Sequence, residues 1–207
     1  MTKLSLAAVL MGVAPAAVVA QDPWQALDTF RQSLRAQSPF AASFVQTFVP
    51  EGFSSGEQES GRMALALPEC LRWDYDEPYP KSFLLCGDMF HYWNPGEEEG
   101  HVEEIDAARE PGLDLLLLDL SELRERYDAS VSAVERGERE IVLRPKEPNE
   151  FVAEATLRLN RKLDRLLVLR YLDPEGSVTE FAISGVTAGA AVGTFNPPDG
   201  VEWLDEW

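Results

Sequence analysis

The chain contains two cysteines, Cys70 and Cys86, and side chains of this type can bind a metal, exchange electrons or form a disulfide bond. A structural zinc site needs four ligands, usually cysteine or histidine. The two histidines, His91 and His101, have no ligand spacing with each other or with either cysteine, so we expect no metal site. The choice between a redox pair and a disulfide therefore depends on the compartment in which the protein works.

A second candidate for chemistry is GFSSG at residues 52–56, which matches the G-x-S-x-G motif of serine hydrolases. In those enzymes the serine lies at a sharp turn between a strand and a helix. Here alternating strand residues follow, so we expect Ser54 and Ser55 to lie at a hairpin tip. The glutamates at 97–99 do not form a twelve-residue calcium loop, and no carboxylate pair is set apart for glycoside chemistry. The sequence predicts a protein that is not an enzyme and uses no cofactor.

The first twenty residues have the pattern of a secretory signal peptide, in which Lys3 precedes an apolar run that ends at Ala20. The run is too short and too rich in alanine for a membrane anchor, and Pro15 interrupts it. We expect cleavage after Ala20 and export to the periplasm, which leaves residues 21–207 as a single domain. In an oxidising compartment the cysteine pair is expected to form a disulfide, with two free thiols as the alternative.

The charge balance of the chain is strongly acidic. Thirty-six aspartates and glutamates stand against 18 lysines and arginines, for a formal net charge of −18. Such a surface repels nucleic acid and anionic lipid head groups. We therefore expect no nucleic-acid partner, and we expect the protein to be a monomer.

Hydrophobic periodicity divides the chain into two helices and many short strands. Residues 22–37 carry apolar side chains at helical spacing, with Asp22 as the cap and Pro23 at the first helical position. Alternation with period two follows, in segments separated by turn sequences such as DPEG at 173–176. The segment at 113–127, LDLLLLDLSELRERY, is predicted to be a second helix lying on the sheet. Together these patterns predict a fold that is mainly β with α, built on an antiparallel sheet.

The cysteines bracket a predicted β-hairpin, CLRWDYDEPYPKSFLLC at residues 70–86, which turns around Pro78. In that register Cys70 faces Cys86, at a distance that a disulfide can bridge. A Gly-Asp turn then returns a third strand, MFHYW. Alternation places seven apolar or aromatic side chains on the same face of these strands: Leu71, Trp73, Tyr75, Phe83, Leu85, Phe90 and Tyr92. This face predicts either a filled core or a pocket for an acyl chain, and periodicity does not separate the two.

Several segments, in order along the chain, resemble the LolA family of periplasmic carriers of outer-membrane lipoproteins. The resemblance rests on FAASFVQTF at 40–48, LPECLRWDYDEP at 67–78, GDMFHYWNP at 87–95 and FNPPDGVEW at 195–203. It implies an unclosed antiparallel β-barrel of about eleven strands. The N-terminal and mid-chain helices would form a lid over its hydrophobic interior.

Under this resemblance the expected function is a carrier that shields the acyl chains of triacylated lipoproteins between the inner and the outer membrane. The expected partners, besides this cargo, are an inner-membrane ABC lipoprotein exporter and an outer-membrane lipoprotein receptor. The side chains expected to line the cavity are Phe44, Leu71, Trp73, Tyr75, Phe83, Leu85, Phe90 and Tyr92. Those expected in the lid are Trp24, Leu27, Leu116 and Leu120.

One departure from the family pattern concerns the residue before the strand proline, Pro68. Members of the family carry an arginine there that latches the lid, whereas this chain has Leu67. The sequence leaves open whether the latch is absent or is supplied by Arg62 or Arg72. It also leaves open a second function, a periplasmic regulatory module that senses lipids or lipoproteins with the same half-barrel.

Overall fold

The structure is a computed structural model that describes residues 22–106, 115, 118–148, 150–191 and 193–205. The predicted signal peptide, residues 1–20, lies outside the described residues. Helix α1 spans Pro23–Gln37, α2 spans Leu120–Arg126, and a 3-10 turn occupies Glu135–Gly137. The strands are β1 Phe40–Val49, β2 Glu57–Ala66, β3 Cys70–Glu77, β4 Lys81–Cys86, β5 Met89–Trp93, β6 Glu99–Glu104, β7 Tyr127–Ala133, β8 Arg139–Pro145, β9 Glu154–Leu159, β10 Leu166–Leu172, β11 Val178–Ala188 and β12 Glu202–Asp205.

The strands form a single 12-stranded sheet in the order β12-β6-β5-β4-β3-β2-β1-β11-β10-β9-β8-β7. Neighbouring strands are antiparallel, except that β12 runs parallel to β6. Within the described residues the edge strands β12 and β7 do not pair with each other, so the sheet stays open. The predicted unclosed, mainly antiparallel sheet with helices is confirmed. The resemblance implied about eleven strands, and the described residues form twelve.

Helix α1 forms where the sequence predicts it. The carboxylate of Asp22 accepts a hydrogen bond from the backbone N–H of Trp24 at 2.9 Å, and a proline occupies the first helical turn. On the face towards the sheet, Leu27 and Phe30 are each 1% exposed. The helix ends before Pro39, because a residue that precedes proline disfavours helical backbone angles. Burial of this apolar face anchors the helix to the sheet.

The predicted mid-chain helix is interrupted: Leu115 is helical, and a separate helix, α2, starts after Asp119. Asp119 has extended backbone angles (φ −74°, ψ 170°) and forms a capping box with Glu122, in which each side chain accepts from the other residue's backbone N–H. The prediction of one continuous helix over 113–127 is therefore wrong at Asp119. The leucine spacing continues across this point, but the capping pair ends that continuity and starts α2. The lid candidate Leu116 lies outside the described residues.

Two apolar clusters occupy the inner face of the sheet. The first lies between the helices and strands β7–β10, and it includes the fully buried Leu123 and Ile141. The second lies on β1–β4 and consists of Phe40, Leu65, Leu71 and Leu85. Leu34, near the end of α1, packs against both clusters. The helix thus reaches from one half of the sheet to the other.

The aromatic hairpin forms in the predicted register. Cys70 opposes Cys86 and Trp73 opposes Phe83 across β3 and β4. Phe83 in turn opposes Tyr92 across β4 and β5. The predicted disulfide is confirmed, with an S–S distance of 2.07 Å. Because its two residues have the opposite parity to Trp73, the bridge lies on the outer face of the sheet.

The segment that leads into β12, together with the side chain of Trp203, packs on the outer face of β3–β6. The guanidinium of Arg72 donates a hydrogen bond to the carbonyl oxygen of Thr194 at 2.9 Å. The indole of Trp203 packs directly on the backbone of Gly100, where a Cβ would lie 2.7 Å from the ring. The outer face of these strands is therefore a second packing interface, with no room for a side chain at Gly100.

The disulfide should contribute to stability by constraining the unfolded chain. Replacing both residues, Cys70→Ala and Cys86→Ala, removes a bridge between positions 16 apart in sequence. We expect the free energy of unfolding to fall by about 3 kcal/mol, as the loop-entropy relation gives for this loop length. Urea unfolding followed by circular dichroism measures this change. Reduced wild type should match the double variant, and equal midpoints for oxidised wild type and variant would contradict the prediction.

Candidate functional site

A cavity of about 310 Å³ opens between the inner face of the sheet and the C-terminal end of α1. This volume lies at the lower end of the range of about 300–1,000 Å³ that is typical of small-ligand pockets. Strands β1–β5 supply one wall, and β10 and β11 supply the other. Because β5 and β10 stand six positions apart in the sheet order, the sheet must curve strongly for both to reach one cavity.

Four of the side chains predicted from the aromatic face line this cavity: Trp73, Tyr75, Phe83 and Phe90. They come from three adjacent strands, and alternation turns all of them towards the inside. Their rings form a continuous wall, since the ring of Phe83 lies 5.9 Å from that of Tyr75 and 5.9 Å from that of Phe90. Such an aromatic wall offers apolar contact without a fixed polar partner.

The other four predicted side chains support this wall from behind or beside it. Leu71 and Leu85, each 1% exposed, belong to the second apolar cluster. Phe44 is 2% exposed, and its ring packs edge-on against Tyr75 at a centroid distance of 5.0 Å. The ring of Tyr92 stacks on the ring of Phe83 at a centroid distance of 5.3 Å. The sequence placed all eight on the inner face, but only the tertiary structure separates the cavity lining from the packed layer.

Tyr75 brings one hydroxyl group to the aromatic wall. It donates a hydrogen bond to Oε1 of Gln46 at 2.6 Å. The ammonium group of Lys81 lies 4.5 Å from the centroid of the same ring and pairs with Glu59 at 2.7 Å. Burial raises the pKa of Tyr75 to about 12, and repulsion by the Glu59 carboxylate adds to the effect. The hydroxyl is therefore neutral and hydrogen-bonded at physiological pH.

The opposite wall of the cavity was not predicted from the sequence. Its side chains are Leu166, Leu169, Tyr171, Phe181, Ile183 and Val186. The segments LDRLLVLRYL and VTEFAIS show period-two alternation. Alternation within a segment does not indicate which of its two faces will meet the aromatic hairpin. A register irregularity between Leu166 and Val168 also brings Leu166 to the same side as Leu169, which simple alternation does not predict.

We take the C-terminal end of α1 as the mouth of the cavity, because the amide and charged side chains of its lining lie there. Leu34 and Gln37 of this helix contribute to the lining, together with Asp164 and Arg165 from the turn between β9 and β10. The side-chain amide of Gln37 donates to the carbonyl oxygen of Asp164 at 3.0 Å, which ties the helix to that turn. A polar rim around an apolar interior is the usual arrangement of a pocket that binds a ligand with one polar end.

The three lid candidates that the structure describes lie on the β7–β10 half of the sheet. Leu27 is buried in the first apolar cluster, and Trp24 and Leu120 pack against that cluster while partly exposed. The guanidinium of Arg124 lies 5.6 Å from the centroid of the Trp24 ring. These residues hold the helices in place, whereas α1 closes the cavity with its last turn.

A buried arginine joins α1 to the part of the chain just before α2, at Leu115 and Leu118, which we call the mid-chain segment. Arg31 is 6% exposed, and its guanidinium donates hydrogen bonds to the carbonyl oxygens of Leu115, at 2.9 Å, and Leu118. Hydrogen bonds from a charged donor are stronger than those between neutral groups. Arg31 therefore links the two elements that the sequence predicted to form the lid. The sequence did not single it out, because an arginine on an amphipathic helix is ordinarily exposed.

The sequence suggested Arg62 or Arg72 as the residue that could replace an arginine at position 67. Neither of them is bonded to a described residue of the helices. Arg62 pairs with Asp76 at 3.2 Å on the outer face of the sheet. Arg72 is on the same face, where it pairs with Asp74 at 3.0 Å. The backbone N–H of Leu67 donates to the hydroxyl of Ser38 at 2.8 Å, next to the end of α1. The contact between helix and mid-chain segment is made by Arg31 instead.

The remaining candidates for chemistry lie apart from the cavity. Ser54 and Ser55 are exposed in the turn between β1 and β2, as expected for a hairpin tip. The imidazole of His91 packs against Trp203 at 4.8 Å, and burial lowers its pKa. Among the residues that the structure describes, no group of three or more histidine, cysteine or acidic side chains could hold a metal ion. Within the same part of the chain, neither helix has the length and apolar character needed to cross a bilayer.

An open, strongly curved sheet around an apolar cavity, closed at one mouth by a helix, defines a half-barrel with an internal binding site. The sequence matches the family model described as outer membrane lipoprotein carrier protein LolA over residues 35–195. The chain belongs to the LolA family.

Similar proteins share most of the length of this chain. An outer-membrane lipoprotein carrier protein of Pseudomonas putida (strain GB-1) is 25% identical over 98% of this chain and 97% of its own length. One of Xanthomonas campestris pv. campestris (strain B100) is 28% identical over 78% of this chain and 76% of its own length. An uncharacterized conserved protein from Thermus thermophilus has a similar crystal structure, with a TM-score of 0.60 at 12% identity over 90% of this chain and all of that one. That structural likeness concerns the fold alone.

The raised pKa of Tyr75 predicts a loss of stability at high pH. The unfolded chain loses this proton near pH 10, whereas the folded protein holds it up to about pH 12. Between these values the folded state binds more protons than the unfolded state, so the free energy of unfolding falls as the pH rises. Urea unfolding between pH 9 and 12 should show a smaller decline for Tyr75→Phe than for wild type. Identical declines would contradict the assignment.

Proposed function

We propose that this protein carries lipoproteins across the periplasm by holding their acyl chains in the cavity between the aromatic strands and α1. The observation that carries this proposal is an apolar cavity inside a LolA-family half-barrel that the chain's own side chains do not fill. Burying an acyl chain is favourable by about 0.8 kcal/mol per methylene group. The protein needs no catalytic residue for this task, because transfer depends only on exchange between apolar environments.

Loading requires the helices to move. The cavity of about 310 Å³ suits a single small ligand, whereas triacylated cargo carries three acyl chains. The contacts that must open are those at the mouth, where Gln37 is bonded to the turn at Asp164, and those of Arg31 with Leu115 and Leu118. The same contacts close the cavity again when cargo leaves. Arg31 thus takes the latching role that the arginine before the strand proline has in the family pattern.

The carrier would work between two membrane partners. It receives cargo from an inner-membrane ABC lipoprotein exporter and delivers it to an outer-membrane lipoprotein receptor. The signal peptide predicted at residues 1–20 takes the chain to the periplasm, where the Cys70–Cys86 disulfide is stable. Each handover proceeds when the next site offers the acyl chains an equal or better apolar environment.

The carrier proposal predicts that a bulky side chain inside the cavity blocks cargo. Val186 lines the cavity, and Val186→Trp should reduce uptake of a fluorescent fatty acid by about tenfold or more, since an occupied cavity forfeits the burial of several methylene groups. Val45, 41% exposed and on the outer face of β1, offers a matched control in Val45→Trp. Urea unfolding must show both variants folded.

The same pair tests function with physiological cargo. Wild type and Val45→Trp should release triacylated lipoprotein from spheroplasts, and Val186→Trp should not. Native mass spectrometry of the wild type purified from the periplasm should detect bound lipid or acylated peptide. A folded wild type that neither carries lipid nor releases any lipoprotein would refute the carrier proposal and favour the sensor module.

Removal of the Arg31 side-chain charge should accelerate opening. In Arg31→Met the carbonyl oxygens of Leu115 and Leu118 lose a charged donor, and such a hydrogen bond contributes about 1.5–3 kcal/mol. We expect the dissociation rate of the fluorescent fatty acid, measured by stopped flow, to rise about tenfold or more. Arg35→Met changes an exposed arginine of the same helix and should leave the rate unchanged. Equal rates in the two variants would show that Arg31 does not hold the cavity closed.

A further inference from the structure

Two strongly exposed aromatic side chains occupy neighbouring hairpin tips. Phe53, between β1 and β2, is 70% exposed, and Tyr79, between β3 and β4, is 76% exposed. β1 and β3 both pair antiparallel with β2, so they run in the same direction and both tips lie at the same end of the sheet. The two hairpins are about two strand spacings apart, on the order of 10 Å.

Further aromatic surface lies at the same end. Phe48 is 40% exposed near the end of β1, on the inner face that alternation assigns to it together with Phe44. Phe151, just before β9, is 67% exposed. The first residue of β9, Glu154, pairs with Leu172, the last residue of β10. Because β10 and β1 end on the same side of the sheet, Phe151 lies at this end too. Single exposed apolar residues are ordinary, whereas four exposed aromatic side chains at one end of a fold make that end a candidate interaction surface.

The turns at this end carry an excess of negative charge. They are residues 50–57, 76–81, 94–99, 146–153 and 173–177, and we call this part of the surface the acidic end. Its exposed carboxylates, apart from Asp76 in its pair with Arg62, are Glu51, Glu57, Glu77, Glu97, Glu98, Glu99, Glu147, Glu150 and Glu175. In the described part of these turns the exposed cation is Lys146, and two further exposed cations, Arg124 and Arg126 at the end of α2, lie beside it, so carboxylates still outnumber cations at this end.

The opposite end of the sheet exposes basic as well as acidic side chains. Among its described turns, exposed cations are present at Arg136, Arg161, Lys162 and Arg165, against exposed carboxylates at Glu69, Asp88, Glu104, Asp106 and Glu135, so the two signs nearly balance. The negative charge of the protein is therefore not spread evenly over both ends. A uniformly solvated acidic surface would not separate the two ends in this way.

We propose that the acidic end docks a protein partner whose surface presents lysines and arginines around an apolar groove. Aromatic side chains such as Phe53 and Tyr79 supply the buried anchors of an interface, and the surrounding carboxylates select a cationic partner and speed its approach. An anionic membrane surface, nucleic acid and a second copy of this chain are all repelled by the same charge.

Docking at the acidic end leaves the cavity mouth accessible. The mouth contains Gln37 and the turn at Asp164, which lies at the opposite end because β9 ends and β10 begins there. A partner bound at Phe53 and Tyr79 therefore does not compete with cargo for the mouth. The membrane location of the partner is inferred from the proposed carrier function. The docking surface is inferred from exposure and charge and does not depend on that function.

The test uses inner-membrane and outer-membrane vesicles of the bacterium that encodes the protein. Wild type should sediment with at least one of them, and binding should fall about tenfold between 50 and 200 mM salt, since exposed charges are screened. Binding should be absent with the same vesicles after protease treatment and with protein-free vesicles of phosphatidylethanolamine and phosphatidylglycerol. A benzoylphenylalanine at position 53 should crosslink to a membrane-protein peptide that contains lysine or arginine.

Matched variants connect the binding to this surface. Phe53→Ser combined with Tyr79→Ser should weaken sedimentation about tenfold or more, whereas Met89→Ser, at a 39% exposed position of the opposite end, should not. Unchanged binding by the double variant, salt-independent binding, or equal binding to protein-free vesicles would overturn the proposal. So would a wild type that binds no vesicles, or one that dimerises through Phe53 in analytical ultracentrifugation.

The fatty-acid assay separates this result from the carrier proposal. The double variant should take up fluorescent fatty acid as well as wild type, because neither residue lines the cavity. Loss of vesicle binding with intact uptake supports the docking surface. Intact vesicle binding by a wild type that takes up no fatty acid would leave the docking surface standing and refute the carrier function.

Discussion

The packing of most of α1 against one half of the inner sheet face is the contact on which the rest of the structure depends. Leu27 and Phe30 bury the helix on strands β7–β10, while its last turn, at Leu34 and Gln37, reaches over to the aromatic strands. If the helix packed equally on both halves, its side chains would fill the space between them. Because it does not, an apolar wall remains without a packing partner, and that is the condition for binding an apolar ligand.

An unfilled interior lowers stability, since lining atoms lose contacts that close packing would provide. The outer face of the same strands compensates for this. The Cys70–Cys86 disulfide fixes the aromatic hairpin, and the C-terminal segment buries that face through Trp203 on Gly100 and Arg72 on Thr194. The hairpin and its inner rings are thus held from behind.

Membership of the LolA family places the chain among carriers, but the fold alone does not, because one architecture can host different functions. Leu67 stands where the family pattern has a latching arginine, and the buried Arg31 makes the contacts to the mid-chain segment from the other side, from α1. At position 67 itself, the bond to the end of α1 is made by the backbone, from the N–H of Leu67 to the hydroxyl of Ser38.

The sequence by itself determined the features that depend on neighbouring residues and on period-two alternation. These include α1 with its Asp22 cap, the hairpin register that opposes Cys70 and Cys86, and the inward face of Trp73 and its neighbours. Only the tertiary structure decided which inward side chains line a cavity and which are packed, as Trp73 and Leu71 show. It also supplied the second wall from β10 and β11, the parallel strand β12 and the role of Arg31. These depend on contacts between segments far apart in the chain, and local periodicity carries no information about which distant face an element will meet.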